Sequence, residues 1–306
     1  MKQLFYKVIY FPPINLILRS VNKFLVPVLP SKIKLPPSGF ISIKASDGSS
    51  IKLKTNQTSF LTKELFWKGT HLEFEYSRIF VELIKDINVF FDVGANIGYY
   101  SLLASKENPN CKVVAFEPAR SSYYFFNENV RINHVHNIKL KQIAIAGCNG
   151  QIAFYEIYNK KYKYLKYNLS GESSFKELRS SLHYNEIIVP SKTLDEYVKE
   201  NSLQNIDLIK LDTEGTEDII LRNSQFVLEN FRPIVICETL FNQIEWNLED
   251  IFKQHDYLFF QFIEGHGLMQ VDSIVRAKDD SVRNCFFLPP EKFHLIEKFV
   301  FSKKQS

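Results

Sequence analysis

Five short apolar runs limit how this chain can fold. They are "VFFDVG" (89–94), "CKVVAFEP" (111–118), "IKLKQIAIA" (138–146), "IDLIKLD" (206–212) and "PIVICET" (233–239), and stretches of helical periodicity separate them. Runs this short, alternating with helices, indicate parallel strands buried on both faces. Two further runs, "YLFFQFIE" (257–264) and "NCFFLP" (284–289), have no long helix between them and read as an antiparallel pair closing the sheet. The expected fold is α/β: a seven-stranded, mostly parallel sheet with an antiparallel last strand and helices on both faces. At 306 residues, 45% hydrophobic and 24% charged, the chain can hold one such domain plus an appendage.

The first strand ends in Asp92, and Gly94, Asn96 and Gly98 follow at every second position before a helical pattern begins. In an open α/β sheet the ligand lies beyond the carboxyl ends of the strands, and the first strand-to-helix turn is the usual cradle. Gly94 permits a sharp turn, and Gly98 permits close packing of the helix that follows. A dinucleotide fingerprint would need G-x-G-x-x-G, but Asn96 and Tyr99 stand where its second and third glycines belong. A P-loop is excluded because no G-K-[ST] follows. The acid Asp92 also disfavours phosphate and suits an ammonium or sulfonium. Glu117 ends the second strand about 20 residues beyond Gly98, where an acid accepts hydrogen bonds from both hydroxyls of an unphosphorylated ribose. A cationic amino-acid end joined to a ribose describes S-adenosylmethionine. Alone, Asp92 reads as a helix N-terminal acid and Glu117 as a solvated strand end. Their strand–turn–helix–strand order is what points to the cofactor.

With "FFDVGANIGYYS", "VVAFEP", "TLDEYV", "IDLIKLDTEGTED" and "PIVICE" in this order, the chain resembles the FkbM-type methyltransferases from about residue 72 to 265. The resemblance implies a Rossmann-like class I fold, S-adenosylmethionine as cofactor and O-methyl transfer. It implies that Asp92, Gly94, Ala95, Asn96, Gly98 and Glu117 contact the cofactor. Ile143 and Ala144, ending the third strand, would border the adenine.

"KLDTEGTED" ends the fourth strand, beside the first. Alternation places Lys210 and Asp212 on one face, and Glu238 ends the neighbouring strand. A sugar-type hydroxyl is a poor nucleophile and benefits from a base within reach. Asp212 is the first candidate, with Glu214 and Glu238 next and Lys210 tuning their charge. These carboxylates could instead hold a divalent cation, which is not the favoured reading, and no metal ligand is assigned. Glu217 and Asp218 read as acids complementing a helix dipole. The clamp [DN]-P-P-[YF] and a Pro-Cys pair are both missing, which disfavours methylation of DNA bases and of protein glutamine.

The remainder of the chain is less specific. A net charge of +4 does not argue for a nucleic-acid binder. Cys111, Cys148, Cys237 and Cys285 form no C-x-x-C pair and suit a reducing, cytoplasmic setting. Between the prolines of the first 40 residues, Ile14, Ile17, Leu18, Val21, Phe24 and Leu25 recur at helical spacing, with Arg19, Asn22 and Lys23 opposite. The expectation is that this stripe packs on the main domain. The alternative is peripheral contact of residues 1–30 with an anionic membrane surface. No run is long enough to span a bilayer, and no signal-peptide cleavage pattern is evident.

Residues 40–60 read as a β-hairpin turning at Asp47-Gly48, and 72–87 as a helix. The stretch from Asp92 to Asp212 exceeds what three βα units need, so residues 150–190 read as an insertion. It carries Tyr155, Tyr158, Tyr162, Tyr164 and Tyr167 among Lys160, Lys161, Lys163 and Lys166. "KYKYLKY" suggests a hairpin with one aromatic face, equally suited to packing on the domain or to binding the acceptor. "GESSF" (171–175) could line the acceptor mouth, and His183 and His266 are given no role. The expected division is an N-terminal arm (1–40), a hairpin and connector (41–71), the methyltransferase domain (72–290) and a C-terminal tail (291–306). The expected acceptor is a small molecule, glycan or lipid-linked saccharide. An RNA methyltransferase and a non-catalytic cofactor binder are the competing readings.

Overall fold

Successive strand residues point to opposite faces, and here both faces are apolar. Phe90, Leu208, Ile234 and Ile236 belong to one core, and Phe91, Ile209 and Val235 to another. A sheet with two such faces must be covered on both sides. The computed structural model describes residues 2–25, 34–169 and 184–301.

Helices α1 (Lys2–Ile9) and α2 (Pro12–Leu25) precede a hairpin of β1 (Gly39–Lys44) and β2 (Ser50–Thr55), then α3 (Phe60–Lys68) and α4 (Ser77–Leu83). The alternating part follows: β3 (Val89–Val93), α5 (Tyr99–Glu107), β4 (Lys112–Phe116), α6 (Arg120–Ile132) and β5 (Ile138–Lys141). Next come β6 (Ala144–Ile145), β7 (Gly150–Ile157), β8 (Tyr184–Lys192), α7 (Leu194–Glu200) and β9 (Leu208–Leu211). Then α8 (Glu217–Arg222), α9 (Gln225–Asn230), β10 (Ile234–Glu238) and α10 (Glu245–Gln254) lead to β11 (Leu258–Ile263), β12 (Gly267–Val271) and β13 (Asn284–Leu288).

The large sheet has the order β12-β11-β13-β10-β9-β3-β4-β5. Strands β5, β4, β3, β9 and β10 are parallel. The last strand, β13, is antiparallel to both of its neighbours, β10 and β11. This is the Rossmann-like methyltransferase fold. The sheet has eight strands among the described residues, one more than expected, because "GLMQV" folds back on β11 as β12. The turn between them passes through Gly265 with a positive φ of 77°, a conformation glycine adopts freely. From β3 the chain moves outward to β4 and β5, then returns to β9 on the other side of β3. That reversal opens a crevice at the carboxyl ends of β3 and β9.

The β1–β2 hairpin buries Ile41, Ile43, Ile51 and Leu53 in the core shared with α4 and α5. Its outer edge is bound by α6. Lys52 N donates to Asn133 Oδ1 at 2.8 Å and Lys54 N to Asn129 Oδ1 at 2.6 Å. At the other end of the chain, Ile296 is buried in the same core and Phe301 N donates to Leu268 O at 2.9 Å.

Three local expectations are corrected. The run 138–146 is two strands: β5 stays in the large sheet, while β6 leaves it to join a small sheet of order β6-β8-β7. Tyr155 lies on β7, but the run "KYKYLKY" forms no strand. Lys160–Tyr162 is a single 3₁₀ turn, and residues 163–169 are irregular. Its tyrosines are engaged with the domain: Tyr162 lies edge-on to Tyr6 (5.3 Å) and Tyr10 (5.6 Å), and Tyr167 stacks on Tyr124 at 4.8 Å. Gln57 Nε2 donates to the Tyr164 hydroxyl at 2.8 Å. The third correction is α2, which exposes its apolar stripe and buries Asn15 and Arg19. The backbone of residues 35–40 beneath it needs hydrogen-bond partners, which an apolar face could not supply. "GESSF" and His183 lie outside the described residues. His266 sits in the β11–β12 turn, with Nδ1 at 3.2 Å from Glu264 O.

Candidate active site

The turn after β3 owes its shape to a close approach. A Cβ on Gly94 would lie 1.9 Å from the Asp212 carbonyl oxygen, and its φ is +73°. No other residue fits there. The turns following β3 and β9 therefore touch, which brings two segments far apart in sequence to one rim. Gly98 serves a different contact: a Cβ there would fall 2.2 Å from the Phe126 ring on α6. Between them, Asn96 takes a left-handed conformation (φ 52°), which asparagine tolerates better than most residues.

That conformation aims Asn96 N at Glu117. Glu117 Oε2 accepts from Asn96 N at 2.7 Å and Oε1 accepts from Ala119 N at 2.8 Å. The carboxyl is thus clamped by backbone at the end of β4. Burial pushes its pKa up to about 8, against the lowering effect of those two N–H groups. Glu117 lines a cleft of about 270 Å³ at the carboxyl ends of β3, β4, β9 and β10, together with Gly94, Ala95, Asn96 and Ala144.

Asp92 lies beneath this cleft, not on its lining. It is buried, accepts a hydrogen bond from Ser101 Oγ at 2.6 Å and sits 3.8 Å from Lys210 Nζ. Burial raises its pKa, and Lys210 opposes the rise. Gly98 and Ile143 are also absent from the lining. Gly98 is under Phe126, and Ile143 packs against the core on the α7–α10 side.

The opposite wall is acidic. Lys210, Asp212, Glu214 and Glu238 all line the cleft. Lys210 Nζ lies 3.1 Å from Asp212 Oδ2. Burial works against the ammonium, but Asp212 and Asp92 outweigh it and hold Lys210 above its ordinary pKa. Glu238 is also raised, to about 10, by burial and by the charge of Asp212, so it stays protonated at neutral pH. Glu217 instead folds the turn around its own carboxylate, accepting from Thr213 N (2.7 Å) and Gly215 N (3.0 Å). Asp218 Oδ2 accepts from Asn247 Nδ2 at 2.7 Å.

Glu75 and Tyr100 are among the lining residues that the sequence did not point to. Glu75 reaches the cleft from the loop before α4 and accepts from the Tyr100 hydroxyl at 3.0 Å. Burial, reinforced by the charge of Asp212, raises its pKa to about 7. Tyr100, in the first turn of α5, lies under Lys210, whose Nζ is 5.6 Å from the ring centroid. The segment read as a continuous helix is interrupted at Glu75, whose φ is +44°. A signal was present: Leu72, Phe74 and Tyr76 alternate with Glu73 and Glu75, a period of two that a helix does not produce.

One oxygen from each of Asp212, Glu214 and Glu238 lies within 4.8 Å of the others, a spacing compatible with a divalent cation. On the facing wall, Glu117 with the open Gly94–Asn96 turn fits a ribose-bearing ligand.

The family model described as the methyltransferase FkbM domain matches residues 92–265. The chain is 26% identical over 157 residues to "2-O-methyltransferase NoeI" of Sinorhizobium fredii, covering 50% of this chain and 63% of that protein. It is 26% identical over 199 residues to "31-O-demethyl-FK506 methyltransferase FkbM" of Streptomyces tacrolimicus, covering 59% of this chain and 74% of that protein. Across the curated relatives the matched span covers from 10% to 80% of their own length. Among solved structures, a methyltransferase FkbM from Methylobacillus flagellatus aligns at a TM-score of 0.42 and 13% identity, over 66% of this chain and 44% of that one.

Proposed function

This chain belongs to the FkbM methyltransferase family, and from that premise we propose that it transfers a methyl group from S-adenosylmethionine to a hydroxyl of a glycan, lipid-linked saccharide or secondary metabolite. One observation carries the reading: a backbone-clamped acid, Glu117, faces a wall of carboxylates across a single cleft. Glu117 would accept the ribose hydroxyls, with Ala144 and Ile145 beside the base. The cofactor supplies an electrophilic methyl group on a sulfonium, and its leaving group is neutral. What remains for the chain is to align the acceptor and remove its proton.

The acidic wall divides that labour. Asp212, paired with Lys210, accepts a hydrogen bond from the acceptor hydroxyl and orients it. Glu75, with a pKa of about 7, is poised to take the proton near neutral pH. Glu238 is protonated and serves as a donor to the acceptor, not as a base. The hydroxyl target is supported by two relatives, a 2-O-methyltransferase and a methyltransferase of a 31-O-demethyl compound. The RNA alternative loses support because Tyr162, Tyr164 and Tyr167 already have partners in the domain.

Labelled-methyl transfer to fractionated cell glycans and lipids tests the proposal. Incorporation resistant to base hydrolysis and insensitive to chelator is expected. A second reading, in which a divalent cation bridges Asp212, Glu214 and Glu238, requires that chelator abolish turnover and added metal restore it. Label appearing only in RNA or protein would overturn the hydroxyl assignment.

A further inference from the structure

Helix α2 is amphipathic, but it is seated with its polar side inward. Asn15 is wholly buried and Arg19 is 4% exposed. Asn15 Oδ1 accepts from Ser38 N at 2.7 Å and Asn15 Nδ2 donates to Pro36 O at 3.2 Å. Arg19 donates to Phe40 O and stacks over the Phe66 ring at 5.0 Å. Asn22 Oδ1 accepts from Leu35 N at 2.8 Å. Positions 15, 19 and 22 therefore form one hydrogen-bonded seam, and rotating the helix to hide its apolar side would break it.

The opposite side is left to solvent. Phe24 is 84% exposed, Ile17 65% and, on α1, Phe5 62%. Eleven of the nineteen exposed large apolar side chains among the described residues fall between Leu4 and Leu25. So dense a run of exposed apolar side chains marks an interaction surface.

Charge identifies the partner. Seven Lys and Arg residues and no acid lie in the first 46 positions, so with a net charge of +4 the rest of the chain is net acidic. Lys2, Lys7 and Lys23 are exposed on the same two helices. A second copy of the chain would bring these like charges together, which opposes association. An anionic lipid surface accepts both the apolar face and its basic border. We propose that α1 and α2 lie in the interface of an anionic membrane, with the apolar side of α2 in the acyl boundary.

The placement suits the cleft. Tyr6 of α1 and Tyr10 just beyond it hold Tyr162, and the same segment runs on to Leu169, which lines the cleft. Phe66 of α3 packs under Arg19 and Lys23 of α2, while Phe60 at the start of α3 also lines the cleft. The docking helices and the cleft mouth thus share α3 and the 160–169 segment as scaffold.

Vesicle flotation of the full chain tests this, using phosphatidylcholine with and without phosphatidylglycerol. Binding to the anionic vesicles at least about tenfold above the zwitterionic ones is expected, weakened but not abolished at high salt. The triple variant Phe5→Ser, Ile17→Ser, Phe24→Ser should lose that binding about tenfold or more, while its melting temperature stays that of the wild type. Trp246→Ser, an exposed change elsewhere, should bind as the wild type. Equal vesicle binding by the triple variant and the wild type would overturn the proposal. So would failure to bind combined with a wild-type dimer in sedimentation that the triple variant dissolves, which would make the face a contact between copies.

Discussion

The two walls of the cleft are built on opposite principles. On the β3–β4 wall, backbone does the holding: Asn96 N and Ala119 N fix Glu117, and Gly94 shapes the turn. On the facing wall, side chains crowd one another. Asp212 and Glu75 act on Lys210, Asp212 acts on Glu75, and Asp212 and Glu214 act on Glu238, so their charges shift one another. The first arrangement is rigid and makes one kind of contact. The second is soft in charge, and proton position there depends on pH. Recognition of an invariant cofactor suits the former, and proton removal suits the latter.

The largest effect should come from the acidic wall. Asp212→Asn and Glu75→Gln should each lower turnover about 10²- to 10⁴-fold, with cofactor affinity nearly unchanged by calorimetry. If either instead weakens cofactor binding as much as it slows turnover, the division between the walls is wrong.

Gly94→Ala breaks both walls at once, because the new Cβ would meet the Asp212 carbonyl. A loss of about 2–4 kcal/mol in denaturant unfolding is expected, with cofactor binding and turnover falling together. Wild-type stability in this variant would show that the two turns do not touch.

A smaller effect concerns pH. Protonated Glu75 cannot accept a proton, so the rate should fall on the acid side with an apparent midpoint near 7. Glu75→Gln should flatten that limb. The same group has a stability signature. Its folded pKa is raised above the ordinary carboxylate value, so its stabilising contribution is present at low pH and lost as pH rises through about 7. Glu75→Gln should therefore reduce the stability lost between pH 5 and 8, measured by thermal unfolding across that range.

The sequence was legible where function is contiguous. Gly94, Ala95, Asn96 and Glu117, which share the cleft lining, could be grouped from the sequence because one turn and one strand end carry them. The carboxylates at 212, 214 and 238 were readable because strand ends converge in this topology. Glu75 was not, because it comes from a loop before the first core strand and only folding brings it across. Asp92 stood out in the sequence, but its burial did not: its partners, Ser101 and Lys210, lie on a helix and another strand. Helix α2 teaches the same lesson. Periodicity revealed that it has two faces, but which one turns inward was decided by the unpaired backbone of residues 35–40, and no local pattern in the helix records that.

Whether Glu117 holds the cofactor's ribose is open to titration calorimetry with S-adenosylhomocysteine. Hydrogen bonds donated by the ribose favour the carboxylate, so binding should lower the Glu117 pKa from about 8 and release protons at pH 7. The observed enthalpy should then vary with the ionisation heat of the buffer. Glu117→Gln should remove that dependence and weaken binding about 10- to 100-fold. Tight binding by Glu117→Gln with the same buffer dependence as the wild type would contradict the account.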